Sequence, residues 1–133
     1  MPKPLPARLL HVTINRSVQD TYRFLADPAN MPQWASGLGN GIAQIDGKWL
    51  TNTPEGKLEV RFAPANDFGV LDHEVVPASG ASIFIPMRVV ANGDGCELTF
   101  TLFRQPGMSD EKFNEDTAWV TRDLEALKTL LEA

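Results

Sequence analysis

Two histidines, one cysteine and scattered carboxylates are the groups from which this 133-residue chain could build catalysis or hold a metal. His73 lies in Val70-Leu71-Asp72-His73-Glu74-Val75, where strand alternation turns it to the apolar side with Leu71 and Val75 and turns Asp72 and Glu74 outward. A buried imidazole needs a partner, and three uses are open to it: a core histidine bonded to a neighbour, a contact to a ligand, or a general acid or base. Asp72 and Glu74 are not its partners if the pleat holds. His11, His73 and Cys96 lack the paired ligand spacing of a tetrahedral or facial site, so neither a metal nor another cofactor is expected. Cys96 follows a turn at a strand start, with no base in sight, and reads as a small structural side chain rather than a nucleophile. The glycines at 37, 39 and 41 precede a strand, whereas a phosphate loop leads into a helix N-terminus, so they read as a connection.

The large side chains point to a different chemistry, that of an apolar pocket. Trp34, Trp49 and Trp119 each join an apolar body to one donor, which suits a cavity wall as well as a core. With Phe62, Phe100, Phe113 and Met87 they crowd a small chain with side chains of the kind that line ligand cavities. Trp49 ranks above Trp34 as a wall residue, because Trp34 ends a passage with a structural reading of its own. Trp119 falls near the edge of a helix's buried face. Arg61 and Arg88 alternate to the solvated side. Arg88 follows Pro86, however, and a bulge there would flip the register and aim its guanidinium inward as an anchor for a carboxylate or carbonyl.

The elements that must position these residues follow from periodicity. Leu10, Val12 and Ile14 alternate with polar residues over 8–15, a half-buried strand. Ser17 can cap a short helix carrying Val18, Tyr22 and Leu25, halted by Asp27-Pro28, and residues 30–36 can add a second short helix. Turns at Asp46-Gly47, Pro54-Glu55-Gly56, Asn66-Asp67-Phe68-Gly69, Ala78-Ser79-Gly80 and Asn92-Gly93-Asp94-Gly95 then divide the centre into six strands of an antiparallel meander. Their inward residues are Leu58, Val60 and Phe62; Leu71, His73 and Val75; Ile83, Ile85, Met87 and Val89; and Leu98, Phe100 and Leu102. Pro86 cannot donate to a ladder, so an edge position or a bulge is expected there. Ser109 caps a long C-terminal helix with Asp110 and Glu111 in its first turn, and Phe113, Val120, Leu124, Leu127 and Leu131 form its apolar stripe. The inner face of the meander is the surface for that stripe to cover.

Composition bounds the class. The length fits one domain over 1–133, with residues 1–7 as a frayed lead-in. Twelve basic against seventeen acidic residues give a net charge of −5, with Lys and Arg scattered, which argues against a nucleic-acid partner. No stretch approaches the ~18 continuous apolar residues of a membrane span, and a single cysteine suits a reducing compartment, so a cytoplasmic protein is expected. A homodimer is compatible with the sequence.

The order strand, two short helices, six-strand meander and long C-terminal helix resembles the START-like (SRPBCC, helix-grip) superfamily, of the polyketide cyclase/dehydrase and lipid-transport type. The passage Phe24-Leu25-Ala26-Asp27-Pro28-Ala29-Asn30-Met31-Pro32-Gln33-Trp34 is similar to that superfamily's helix, Asp-Pro, small-residue, Trp passage. The resemblance implies an α+β fold, a seven-stranded curved antiparallel sheet gripping the long helix. It also implies a cavity between them that holds lipids, polyketides, hormones or other apolar ligands in different members, and no fixed catalytic set. The expected function is therefore binding of a small apolar or aromatic molecule, with Trp49, Phe62, His73, Met87, Arg88, Phe100, Phe113 and Val120 around it. The alternative is an enzyme cyclising, dehydrating or hydrolysing such a ligand with His73 as acid or base. A partner-binding outer sheet face is a third reading, and Lys57, Glu59 and Arg61 make that face an ordinary solvated surface instead.

Overall fold

The computed structural model describes residues 3–38, 41–53 and 56–133. Gly39 and Asn40 of the expected connection, and Pro54 and Glu55 of the expected turn, lie outside the described residues. Strand β1 (Ala7–Ile14) is followed by helix α1 (Val18–Leu25), capped by the Ser17 hydroxyl, which accepts from the Asp20 amide. Two 3-10 turns come next, Pro28–Gln33 and Ser36–Leu38. Strands β2 (Ala43–Ile45), β3 (Lys48–Thr53), β4 (Gly56–Phe62), β5 (His73–Pro77), β6 (Ile83–Ile85), β7 (Met87–Asn92) and β8 (Gly95–Phe103) lead to α2 (Asp110–Glu132). Of the expected lead-in, Ala7 already pairs with Phe103, and the Pro6 carbonyl accepts from the Arg104 amide.

The strands fall into two antiparallel sheets, β1-β8-β7 and β2-β3-β4-β5-β6. The single seven-stranded sheet expected from the turns is therefore corrected to eight strands, and the additional one comes from Pro86. Ile85 still pairs with His73 of β5, whereas Met87 pairs with Phe100 of β8. Between them Pro86 has no N–H to offer either ladder, and its carbonyl accepts from the Thr101 amide. The chain changes sheets at the residue that cannot donate. Alternation survives the crossing: Met87 and Val89 are buried and Arg88 is exposed. No bulge turns Arg88 inward.

Asp72 closes the gap that this crossing opens. Its carboxylate accepts from the Met87 amide at 2.9 Å and, with both oxygens, from the Arg88 guanidinium at 2.9 and 2.8 Å. The residue just before β5 is thereby tied to the first two residues of β7. Gly69 makes the other close approach. It has φ +71, its carbonyl accepts from the Val89 amide, and a Cβ at this position would lie 2.1 Å from the Val89 carbonyl oxygen.

The stripe on α2 is buried through Phe113, Leu124, Leu127 and Leu131. Leu124, Leu127 and Leu131 join Val12, Ile14, Met87, Val89, Leu98 and Phe100 in one apolar cluster over the β1-β8-β7 sheet. A second, smaller cluster of Met31, Leu38 and Val60 joins the 3-10 turns to β4. The helix thus rests on one sheet, and the 3-10 turns cover part of the other. No helix among the described residues is long and apolar enough to cross a membrane.

Leu124 is 2% exposed, so Leu124→Ala should destabilise the fold by about 2–5 kcal/mol in urea unfolding. A loss below about 1 kcal/mol would mean that the stripe is not the helix's anchor.

The Arg88 hydrogen bond, before the Met87 amide, holds the Asp72 carboxyl below its ordinary range. A depressed carboxyl stabilises the fold above its unfolded pKa of about 3.9 and loses that contribution as pH falls through the lower folded value. Asp72→Asn should cost about 1–3 kcal/mol at pH 7, and its deficit against the parent should shrink progressively below about pH 4. A deficit independent of pH would remove the charge from this account.

Candidate functional site

The two apolar clusters do not meet everywhere, and an apolar cavity of about 180 Å³, partly open to solvent, remains between them. The 3-10 turns contribute Met31, Trp34 and Leu38 to its wall; β4 contributes Leu58 and Val60. His73 and Val75 come from β5, Ile85 from β6, Phe100 from β8, and Trp119, Val120 and Asp123 from α2. The cavity lies where the first half of α2 runs past the cluster that anchors its second half.

His73 is the most constrained polar group in this wall. It is 4% exposed, its Nδ1 lies 3.0 Å from the Leu71 carbonyl oxygen, and Phe62 stacks on its ring with centroids 4.8 Å apart. A carbonyl only accepts, so Nδ1 carries the proton and Nε2 keeps its lone pair. Burial pushes the imidazole below its ordinary range, against the opposing pull of the Leu71 carbonyl and Asp72. The ring is neutral at pH 7. Its structural partner is therefore a backbone carbonyl two residues earlier, while the ring itself is part of a cavity wall. The core and ligand-contact readings of this residue are compatible.

Two further polar groups belong to the wall. The Trp34 indole Nε1 is the one buried side-chain nitrogen or oxygen without a hydrogen-bond partner among the described residues. Asp123 accepts from the Ser36 hydroxyl at 2.7 Å and the Ser36 amide at 3.3 Å, which ties the second 3-10 turn to α2. Burial pushes the Asp123 carboxyl up, with the Ser36 hydrogen bonds opposing. Beside it Trp119 is 47% exposed, with the Arg122 guanidinium 5.7 Å from its ring centroid.

Of the eight residues expected around a ligand, the structure brings His73, Phe100 and Val120 to the cavity. Phe62 is not among the wall residues and stacks on His73 as its cross-strand partner. Met87 is fully buried in the filled cluster under β1-β8-β7. Phe113 is buried beneath the Arg8 guanidinium, which sits 4.3 Å from its ring centroid. Trp49 is half-buried on β3, opposite Val60 and one strand away from the wall. Arg88 is on the outer face with Asp72, so the proposed anchor is corrected to a structural ion pair.

Trp34, Trp119 and Asp123 are wall residues outside the expected set of eight, as are Met31, Leu38, Leu58, Val60, Val75 and Ile85. The spacing of Trp119, Val120 and Asp123, at i, i+1 and i+4, puts them on one flank of the α2 stripe, and this was readable from the sequence. The contribution of Trp34 depends on how the 3-10 turns fold back, which no local pattern specifies. A larger concavity, about 460 Å³, lies between α1 and the Asn66–Gly69 loop. Its wall of Val18, Gln19, Tyr22, Arg23, Asn66, Asp67 and Gly69 mixes polar and apolar surface and is outside the grip of sheet and helix. Among the described residues no three His, Cys, Asp or Glu side chains converge in a metal-binding group.

The sequence matches no family model and no curated protein. Solved structures resemble it along nearly its whole length. An uncharacterised protein from Bacillus thuringiensis is 15% identical, with a TM-score of 0.74 over 95% of this chain and 98% of that one. Aha1 from Colwellia psychrerythraea, solved as a dimer, is 16% identical, with a TM-score of 0.72 over 96% of this chain and 97% of its own. A START superfamily protein from Mycobacterium smegmatis is 14% identical, with a TM-score of 0.69 over 95% of this chain and 97% of that one. At these identities the likeness is one of fold, and with the long C-terminal helix held against antiparallel sheets it shows that this chain has the START-like, helix-grip fold.

Proposed function

We propose that this chain binds a small apolar molecule in the cavity between the sheets and α2. The observation that carries the reading is an unfilled space of about 180 Å³ whose wall is apolar except for His73, the indole N–H groups of Trp34 and Trp119, and Asp123. Folded cores are close-packed, and few voids larger than a water molecule persist in them. An apolar cavity of about 150 Å³ is enough to hold benzene, whereas sites for drug-sized ligands run from about 300 Å³ upward. The volume here suits one ring, and it narrows the lipid and polyketide classes implied by the fold to something smaller.

The enzyme alternative needs a paired acid and base. His73 has Nδ1 committed to the Leu71 carbonyl, and the Asp123 carboxylate is held by Ser36. Neither is paired with the other, which favours binding over proton transfer as the role of the site.

Excess p-cresol, a neutral one-ring compound, should raise the melting temperature in a saturable way, by about 2.7 kcal/mol of added stability at a hundred times its dissociation constant. Val120→Trp, which fills the cavity, should abolish that response. Absence of any response to p-cresol, toluene and cyclohexanol alike would overturn the reading. His73→Phe should also lower stability by about 1–3 kcal/mol, because the Leu71 carbonyl loses its donor. An unchanged melting temperature would mean that this hydrogen bond does not hold the ring.

A further inference from the structure

Granting that the cavity binds a small molecule, the exposure of its wall marks where that molecule enters. Among the described residues two in the wall are exposed, Gly37 of the second 3-10 turn and Trp119 of α2, and the others are buried or half-buried. These two are neighbours. A Cβ built on Gly37 would lie 4.0 Å from Cζ2 of the Trp119 ring, an ordinary contact distance, and would meet nothing else so close. The cavity therefore reaches the surface between the turn and the helix, with bare backbone on one side and an indole on the other. Gly37 is not demanded by its conformation, because its φ is not positive, nor by a clash at the missing Cβ. What its missing side chain leaves is an opening beside Trp119.

The same seam is crossed by hydrogen bonds. The Ser36 hydroxyl and amide both donate to Oδ1 of Asp123, at 2.7 and 3.3 Å, and among the described residues no other hydrogen bond joins the Ser36–Leu38 turn to α2. Ser36 precedes Gly37 and Asp123 is one helical turn after Trp119, so the tie and the opening are side by side. The hydroxyl bond, short and made to a carboxylate, is the stronger of the two. Ser36 is exposed and is not itself a wall residue. On the helix side the seam is fixed, because Leu124, Leu127 and Leu131 seat α2 in the large cluster. We propose that the seam between Gly37 and Trp119 is the entrance to the cavity, and that the Ser36–Asp123 hydrogen bonds govern how readily it opens.

The test separates rate from affinity, because a barrier shared by entry and exit changes both rates together and leaves their ratio alone. Exchange of p-cresol, toluene and cyclohexanol with the full chain is followed by NMR line shape across a titration, in the parent, Ser36→Ala and Gly37→Val. Ser36→Ala should raise association and dissociation rates together by at least about threefold, and Gly37→Val should lower both by about the same factor, with Kd within about twofold of the parent in each. If Gly37→Val does not fold, Trp119→Ala, at a half-exposed position, takes its place and should raise the association rate. Parent-like rates in the variant at the opening would put the route elsewhere and overturn the entrance, and parent-like rates in Ser36→Ala would overturn the role of the tie; both results leave the binding role standing. A change of Kd through the dissociation rate alone would make these residues contacts of the bound molecule and overturn the proposal. Binding of no probe to the folded parent would sink this inference together with the reading on which it rests.

Discussion

The residue that shapes this molecule is Pro86, through the hydrogen bond that it cannot make. A strand running from Ile83 to Asn92 has enough alternating apolar residues to stay in one ladder, yet at its centre one amide hydrogen is missing. The chain spends that defect at the boundary between two sheets, where β6 leaves β5 and β7 joins β8. The two sheets part at this corner, and the Asp72 carboxylate spans it by accepting from the Met87 amide and from two nitrogens of the Arg88 guanidinium. Bidentate charge-assisted hydrogen bonds are among the stronger polar contacts available, and here they secure a register that the backbone ladder leaves open. The position of the helix follows from that corner. Leu124, Leu127 and Leu131 need a continuous apolar floor, and β1-β8-β7 is the sheet that supplies one.

The cavity lies where α2 passes between residues of the two apolar clusters. Near Leu127 the helix meets side chains that fill the space, with Met87, Cys96 and Leu98 fully buried. Near Val120 the second sheet contributes wall residues from β4, β5 and β6, and the 3-10 turns bring Met31, Trp34 and Leu38 into part of the gap. They do not fill it. Burial there is uneven in kind as well as degree, because the Trp34 indole N–H is buried without a hydrogen-bond partner among the described residues. An unmet donor of this kind costs about 1–3 kcal/mol.

Much of this fold is legible in the sequence. Period-two alternation placed Val12, Ile14, Leu71, His73, Met87, Val89, Leu98 and Phe100 on the inside, where all are buried, because a one-residue slip would turn the whole apolar set to solvent. The α2 stripe was equally clear. Pro86 was recognisable as an interruption, but whether an interruption becomes a bulge or a change of sheet depends on strands far away in sequence. The uncertainty over Arg88 came from that ambiguity. Trp49 and Trp34 show a second limit. Both have the composition of a wall residue, and the choice between them is made by the fold-back of two 3-10 turns held by the Asp123 and Ser36 hydrogen bonds, 87 residues apart. Phe113 and Met87 are apolar in the way a ligand contact is apolar, and only the filling of space around them reveals that they are core.

The unequal size of the two apolar clusters has a consequence for motion. The large cluster joins α2 to β1, β7 and β8, whereas Met31, Leu38 and Val60 carry the smaller one. Free energies of local opening track buried apolar contact, so β2–β4 belong to a less protected unit than the helix and its floor, to which Trp34 also belongs. Their amides should exchange with solvent ahead of those of β8 and the second half of α2. Of the cavity wall, the side formed by Leu58 and Val60 belongs to this less protected unit, whereas Phe100 and Val120 belong to the helix and its floor.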